Sequence, residues 1–277
     1  MRLIHTLVEL REALTGASST AFVPTMGNLH VGHVALVEQA RKHVGAAGGP
    51  IVASIFVNPL QFGQGEDFQR YPRTLMEDCA QLEAAGCDIV YAPDVTDMYA
   101  EPQTFRVVPP LAGELCGAFR PGHFEGVCTV VLKLFNMVQP RYAVFGKKDY
   151  QQLFLLKGMT RQFNLPIDIL EGETVRAPDG LALSSRNGYL STNERAEAPR
   201  LHAELGHISA EIRKGNRDFS GLESDAAHAL TRHGWAVDYI SVRRRSTLLA
   251  PLTSENDLVV LAAARLGNTR LIDNLEI

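Results

Sequence analysis

The chain has 277 residues, a length that suits two domains or one large α/β domain. Folding at this size removes roughly 70% of the unfolded chain's accessible surface, so the fold needs no covalent or metal staple. Lys and Arg total 27 against 31 Asp and Glu, a formal charge of −4, and 45% of residues are hydrophobic against 21% charged. These values exclude an intrinsically disordered chain. They also exclude an extended nucleic-acid-binding face, since the longest basic cluster is Arg243-Arg244-Arg245. Small-molecule partners are expected.

In chain order, the N-terminal MRLIHTLVELREAL reads as an amphipathic helix. Glu9, Arg11 and Glu12 stand where a signal peptide would need an apolar core. The pattern then predicts a strand at 20–24, a helix at 33–44, a strand at 51–57, a helix at 73–85 and a strand at 88–91. Further along it predicts a strand at 104–108, a helix at 124–138, a strand at 142–146, a helix at 149–163 and a strand at 166–170. Apolar strands alternating with helices imply a parallel sheet covered on both faces. The expected fold is therefore α/β, a Rossmann-like doubly wound parallel sheet.

Beyond Arg186 the pattern changes. Ser191-Thr-Asn-Glu194 and Ser220-Gly-Leu-Glu223 both have the capping-box signature of a helix start. Strand candidates at 237–242 and 258–265 follow without a crossover helix between them, which favours a small antiparallel sheet. The boundary is placed near Glu173, with a first domain over 1–173 and a smaller α+β domain over 174–277. The longest apolar run, 258–264, falls far short of the roughly 20 residues that span a bilayer. Cys79, Cys87, Cys116 and Cys128 show neither zinc-site spacing nor disulfide-scaffold density. A cytoplasmic protein with reduced thiols, away from membranes and nucleic acid, is expected.

The strand at 20–24 runs through Thr25-Met26-Gly27-Asn28-Leu29 into His30-Val31-Gly32-His33, where a helix starts. In an open α/β sheet the ligand crevice lies beyond the carboxyl ends of the strands. A helix N-terminus there attracts an anion. Two histidines three residues apart project to one side of a first helical turn, and Gly27 and Gly32 allow close backbone approach. His-x-Gly-His in this setting is the nucleotide-binding pattern of class I aminoacyl-tRNA synthetases and related nucleotidylyltransferases. A second strand-to-helix junction carries Phe145-Gly146-Lys147-Lys148-Asp149-Tyr150-Gln151-Gln152. A third segment is Leu183-Ser184-Ser185-Arg186-Asn187, whose hydroxyls and guanidinium suit phosphate oxygens.

Six segments in order resemble the pantoate–β-alanine ligase family, whose members are pantothenate synthetases. They are PTMGNLHVGH (24–33), FVNPLQF (56–62), YPRT (71–74), RPGHF (120–124), FGKKDYQQ (145–152) and LSSRN (183–187). The resemblance implies ATP-dependent condensation of pantoate with β-alanine through a bound pantoyl adenylate, releasing pyrophosphate and then AMP. By the same resemblance His33, His30, Lys148 and Arg186 are catalytic, His33 as the usual proton donor. ATP is held by Met26, Gly27, Asn28, Leu29, His30, Val31, Gly32 and His33. It is held further by Gly146, Lys147, Lys148, Asp149, Val175, Leu183, Ser184, Ser185 and Arg186. Lys147 and Glu125 differ from the residues expected at their places in otherwise matching motifs. Gln61, Gln152 and Asn58 bind pantoate, and Gln61 also binds β-alanine. Arg120 and His123 resemble a flexible wall of the site. Mg2+ accompanies the ATP without assigned ligands, Glu77 and Asp78 being possible partners. The second domain is expected to close over the nucleotide, and a homodimer is implied. The alternative is a nucleotidylyltransferase of the same superfamily acting on a phosphorylated acceptor, which would want further Arg or Lys at the acceptor.

Overall fold

Successive side chains of a strand point to opposite faces, and along Ala21–Thr25 both faces are buried. Ala21 and Val23 join one apolar cluster, and Phe22 joins another. The split recurs with Ile51 and Ala53 against Val52, and with Val144 against Ala143 and Phe145. Strands buried on both sides require helices above and below the sheet. The computed structural model, which describes residues 1–45 and 48–277, has that arrangement.

Its strands are β1 (Arg2–Ile4), β2 (Ala21–Thr25), β3 (Ile51–Ile55), β4 (Ile89–Tyr91), β5 (Tyr142–Gly146) and β6 (Asp168–Gly172). They form one parallel sheet in the order β1-β4-β3-β2-β5-β6. The helices are α1 (Leu7–Ala13), α2 (Val31–Val44), α3 (Leu75–Ala84), the single turns α4 (Val95–Met98) and α5 (Cys116–Phe119), α6 (His123–Val138) and α7 (Tyr150–Gln162). Val37 and Ala40 of α2 with Cys79 and Leu82 of α3 cover one face. Leu10 of α1, Leu134 of α6 and Leu156 of α7 belong to the cluster on the other. From β2 the chain steps through α2 to β3 on one side, and β5 later pairs with β2 on the other. This reversal is the topological switch point, which leaves a crevice beyond the carboxyl ends of β2 and β5.

The chain divides into two compact units, one of residues 1–147 and 152–173, the other of 148–151 and 174–277. In the second unit α8 (Thr192–Glu197), α9 (Arg200–Arg213) and α10 (Phe219–Arg232) precede the antiparallel strands β7 (Trp235–Arg244), β8 (Leu258–Leu266) and β9 (Thr269–Glu276). Its core joins Leu201, Leu205 and Ile208 of α9 and Leu230 of α10 to Val260, Ala262 and Ala264 of β8.

Four local expectations are corrected. The N-terminus is a strand before it is a helix, because residues 2–4 pair with β4 and Thr6 then forms a capping box with Glu9. Residues 104–108 form no strand, and the Val107 N–H instead donates to Thr129 Oγ1 of α6 at 3.0 Å. At α10 the cap is Asp218, whose Oδ1 accepts from the Gly221 N–H at 3.0 Å, so Ser220 lies inside the helix. The strand β9, with the polar sequence TRLIDNLE, adds a third member to the antiparallel sheet, for which the sequence pattern predicts two.

Candidate active site

The loop beyond β2 is shaped by hydrogen bonds to its own backbone. The Thr25 hydroxyl donates to the Ser54 carbonyl at 2.8 Å and accepts from the Gly27 N–H at 3.2 Å. Gly27 has φ +82° and Asn28 φ +50°, a left-handed pair that turns successive N–H groups inward. Those of Asn28 and Leu29 donate to the two carboxylate oxygens of Asp78, at 2.9 and 2.8 Å, and the Thr74 hydroxyl donates to the same group at 3.1 Å. Asp78 is only 1% exposed. A Cβ on Gly27 would come within 3.0 Å of its Oδ2, so the carboxylate and the glycine require each other.

This corrects two expectations. Glu77 is exposed and Asp78 buried, so they make no carboxylate pair for magnesium. The amides of Gly27, Asn28 and Leu29 hold the loop's shape instead of being offered to phosphate.

The loop delivers two imidazoles to the start of α2. His30 has extended backbone and caps the helix, which begins at Val31. The His30 Nδ1 accepts from the Gly32 N–H at 3.1 Å, and the His33 Nδ1 accepts from the His30 N–H at 3.3 Å. A backbone N–H can only donate, so neither Nδ1 carries a proton, and each neutral ring keeps its hydrogen on Nε2. The rings lie side by side, their centroids 4.1 Å apart. Two Nε2–H donors at a helix N-terminus have the chemistry to meet an anion.

Beyond β3, Asn58 and Gln61 occupy a 3₁₀ turn. Asn58 is 1% exposed and bonded at both ends of its amide, while Gln61 directs its Nε2 to the Met26 sulfur at 3.0 Å. Asn58 thus supports Gln61 from within the protein, a correction to its expected place beside pantoate. The turn packs against Gly126 of α6, where a Cβ would meet the Leu60 carbonyl at 2.2 Å.

Arg120 and His123 do not form a loose wall. Arg120 makes a bidentate pair with Glu66, both contacts 2.7 Å, and lies 2.9 Å from His123 Nε2. His123 Nδ1 lies 2.8 Å from the Gln61 carbonyl, with which it shares a hydrogen bond. Burial acts to raise the Glu66 pKa, but the Arg120 hydrogen bonds and charge outweigh it and hold the carboxyl below its usual range. Gln152 stands half-buried on the first turn of α7, and Lys147 pairs with Glu173 at 2.6 Å.

The second unit gathers Lys148, Asp149, Val175, Leu183, Ser184, Ser185 and Arg186. The hairpin carrying Val175 and Leu183 closes through the Leu183 N–H on the Val175 carbonyl at 3.0 Å, and turns at Gly180 with φ +94°. Ser184 caps the 3₁₀ turn at 185–189, accepting from the Arg186 N–H. Arg176 is bound bidentately by Asp273 at 2.7 and 2.8 Å, and the neighbouring Asn274 donates to the Lys148 carbonyl at 3.0 Å. β9 therefore anchors both the hairpin and the lysine. Burial lowers the Lys148 pKa; Asp149 and Asp273 oppose the shift, and Arg186 and Arg176 add to it. Like charge from Arg186 and Arg176 adds to the desolvation of Lys148.

The fold is an α/β doubly wound sheet with His30-Val31-Gly32-His33 at its switch point. The family model described as pantoate–β-alanine ligase matches residues 2–276. The chain is 61% identical over 279 residues to the pantothenate synthetase of Thiobacillus denitrificans, covering 100% of this chain and 97% of that protein. It is 58% identical to that of Methylobacillus flagellatus, covering 100% and 98%. The pantothenate synthetase of Thermus thermophilus superposes with a TM-score of 0.93 at 45% identity, covering 100% of this chain and 99% of that one. The Francisella tularensis pantoate–β-alanine ligase, solved with beta-gamma ATP and beta-alanine, gives 0.80 at 31%, covering 100% and 97%. The chain belongs to the pantoate–β-alanine ligase family.

The sequence pattern assigns no role to Thr25, Glu66, Thr74, Asp273 or Asn274, and it reads Asp78 as a possible magnesium partner instead of the loop's anchor. Their partners are mostly remote in the chain, so no local motif marks them.

Asp78→Asn replaces one acceptor oxygen with a donor facing N–H groups. It should cost about 2 kcal/mol in urea unfolding and lower kcat/KM for ATP at least tenfold. Because the folded pKa of Glu66 is depressed, its ion pair stabilises fully above the unfolded value of about 4.3 and is lost as pH falls through the folded value. The difference in unfolding free energy between wild type and Glu66→Gln should hold steady above about pH 5 and shrink below it.

Proposed function

We infer that the protein condenses pantoate with β-alanine at the expense of ATP, forming pantothenate, AMP and pyrophosphate. The observation that carries this reading is the pair of Nε2–H imidazoles at the start of α2, at the switch point of a pantoate–β-alanine ligase fold. A carboxylate is a poor electrophile until its oxygen joins a phosphate leaving group. In the first step the pantoate carboxylate attacks the α-phosphorus and pyrophosphate departs. In the second, the β-alanine amine attacks the acyl carbon and expels AMP.

Negative charge grows around phosphorus and on the departing pyrophosphate, so preorganised donors and cations supply most of the stabilisation. His30 and His33 supply donors already aimed by the backbone, with His33 as proton donor. Lys148 and Arg186 take the triphosphate oxygens, assisted by Ser184 and Ser185. Asp149 accepts from ribose hydroxyls, and the Val175–Leu183 hairpin with Gly146 seats the nucleoside. Gln61 and Gln152 hold pantoate, and Gln61 also serves β-alanine.

Among the described residues no three carboxylate, imidazole or thiol groups stand together as a cation cage. Magnesium is accordingly read as part of the Mg-ATP substrate, held by phosphate and water. A homodimer in the cytoplasm completes the reading, as the family resemblance implies.

The acceptor environment separates this reading from nucleotidyl transfer onto a phosphorylated substrate. Asn58 and Gln61 are neutral amides, and the guanidinium beside them, Arg120, is spent on Glu66. That environment suits a small hydroxy acid better than a phosphate ester. With purified protein and Mg-ATP, pyrophosphate release should require pantoate, and sustained AMP release should require β-alanine as well. Pyrophosphate release indifferent to pantoate would reject the assigned acceptor. His33→Ala and Lys148→Ala should each lower kcat by about a hundredfold or more, and an unchanged rate in either would remove that residue from the mechanism.

A further inference from the structure

Asn58 has its amide orientation dictated by the backbone. The Leu60 N–H, which can only donate, points to Asn58 Oδ1 at 3.2 Å. The Gly126 carbonyl, which can only accept, lies 3.1 Å from Asn58 Nδ2. A flipped amide would set donor against donor at one end and acceptor against acceptor at the other. The same Nδ2 also reaches the Gln61 side chain at 3.1 Å, so the Gln61 atom it meets must be the oxygen. The Tyr99 hydroxyl donates to Asn58 Oδ1 at 2.8 Å, adding a third restraint from the residue after α4. Tyr99 is itself held, its ring edge-on to Phe56 and beneath the Lys133 ammonium. Burial pushes its phenol up to about 12, so it stays a donor throughout the neutral range.

Gln61 is thereby left with one defined polarity. Its oxygen faces inward on Asn58. Its Nε2 is the other end, which among the described residues of the first unit donates to the Met26 thioether, a weak acceptor. A ligand oxygen with lone pairs would displace that sulfur at little cost.

We propose that Tyr99 and Asn58 are positioning residues that lock Gln61 as a hydrogen-bond donor, so that this position selects an acceptor oxygen of the hydroxy-acid substrate. The proposal rests on the reading that Gln61 contacts pantoate, and it adds which end of the amide reads the substrate and what fixes that end. The Tyr99–Asn58–Gln61 network lies within the first unit, so its loss should appear in the acid's KM.

Steady-state kinetics on Tyr99→Phe, Gln61→Ala and Gln61→Glu test it. Tyr99→Phe keeps the ring against Phe56 and loses one hydrogen bond. It should raise the pantoate KM about fivefold to tenfold, the size of one such bond, with the ATP KM unchanged and kcat within about threefold. Gln61→Ala should raise the pantoate KM further. Gln61→Glu, which presents an acceptor in place of the donor, should bind pantoate more weakly still than Gln61→Ala.

An unchanged pantoate KM in Gln61→Ala would reject the underlying assignment of Gln61. A raised KM in Gln61→Ala with none in Tyr99→Phe would keep that assignment and overturn the relay. Equal or tighter pantoate binding in Gln61→Glu than in Gln61→Ala would overturn the donor polarity. A rise of the ATP KM alongside that of pantoate in Tyr99→Phe would mark a general structural role and likewise overturn the relay.

Discussion

Backbone amides dictate the direction of the site's polar side chains. Between β2 and α2 the N–H groups of Gly32 and His30 each enter an imidazole Nδ1, which fixes where each ring carries its proton. The loop that makes this possible is held in turn by Asp78, through the N–H groups of Asn28 and Leu29. Without that anchor the left-handed conformation at Gly27 and Asn28 would lose its hydrogen-bonding partner, and the rings would lose the orientation that makes them donors. Preorganisation of this kind stabilises charge without reorganisation during reaction.

The same logic recurs away from the histidines. Asn58 is set by the Leu60 N–H and the Gly126 carbonyl, and it sets Gln61. In the second unit Asp273 holds Arg176 while Asn274 holds the Lys148 carbonyl, so two residues of one strand support a hairpin and a cation together. Asp78, Asn58 and Asp273 are all nearly inaccessible to solvent. A buried polar group is tolerated only when satisfied, and each of these is satisfied by orienting a residue assigned to ligand binding or catalysis, or the segment that carries one.

The doubly wound sheet could be read from the chain because β2, β3 and β5 are apolar on both faces and alternate with helical periods. The imidazole loop could be read because its signal lies within a few consecutive residues. Other features depend on distance. Asp78 is about fifty residues from the amides it holds, and as a carboxylate next to Glu77 in the first turn of α3 it read as a possible magnesium partner. Asn58 looked like a ligand-binding amide because its partners Tyr99 and Gly126 lie on remote segments. Residues 104–108 alternate like a strand, but their side chains Phe105 and Val108 are exposed and no strand pairs with them. β9 escaped notice because its polar residues Asp273 and Asn274 are buried by specific partners, not by an apolar face.

Donors aimed by the loop beyond β2 are what stabilise attack of a carboxylate on the α-phosphorus of ATP in the proposed reaction. The most direct measurement is the fate of oxygen in a complete reaction with pantoate labelled with 18O in both carboxylate positions. If the acid is activated as its adenylate, one labelled oxygen leaves with the nucleotide, and mass spectrometry of the AMP finds a single 18O per molecule. AMP free of label, with the departing labelled oxygen found in another phosphate product or in water, would contradict it.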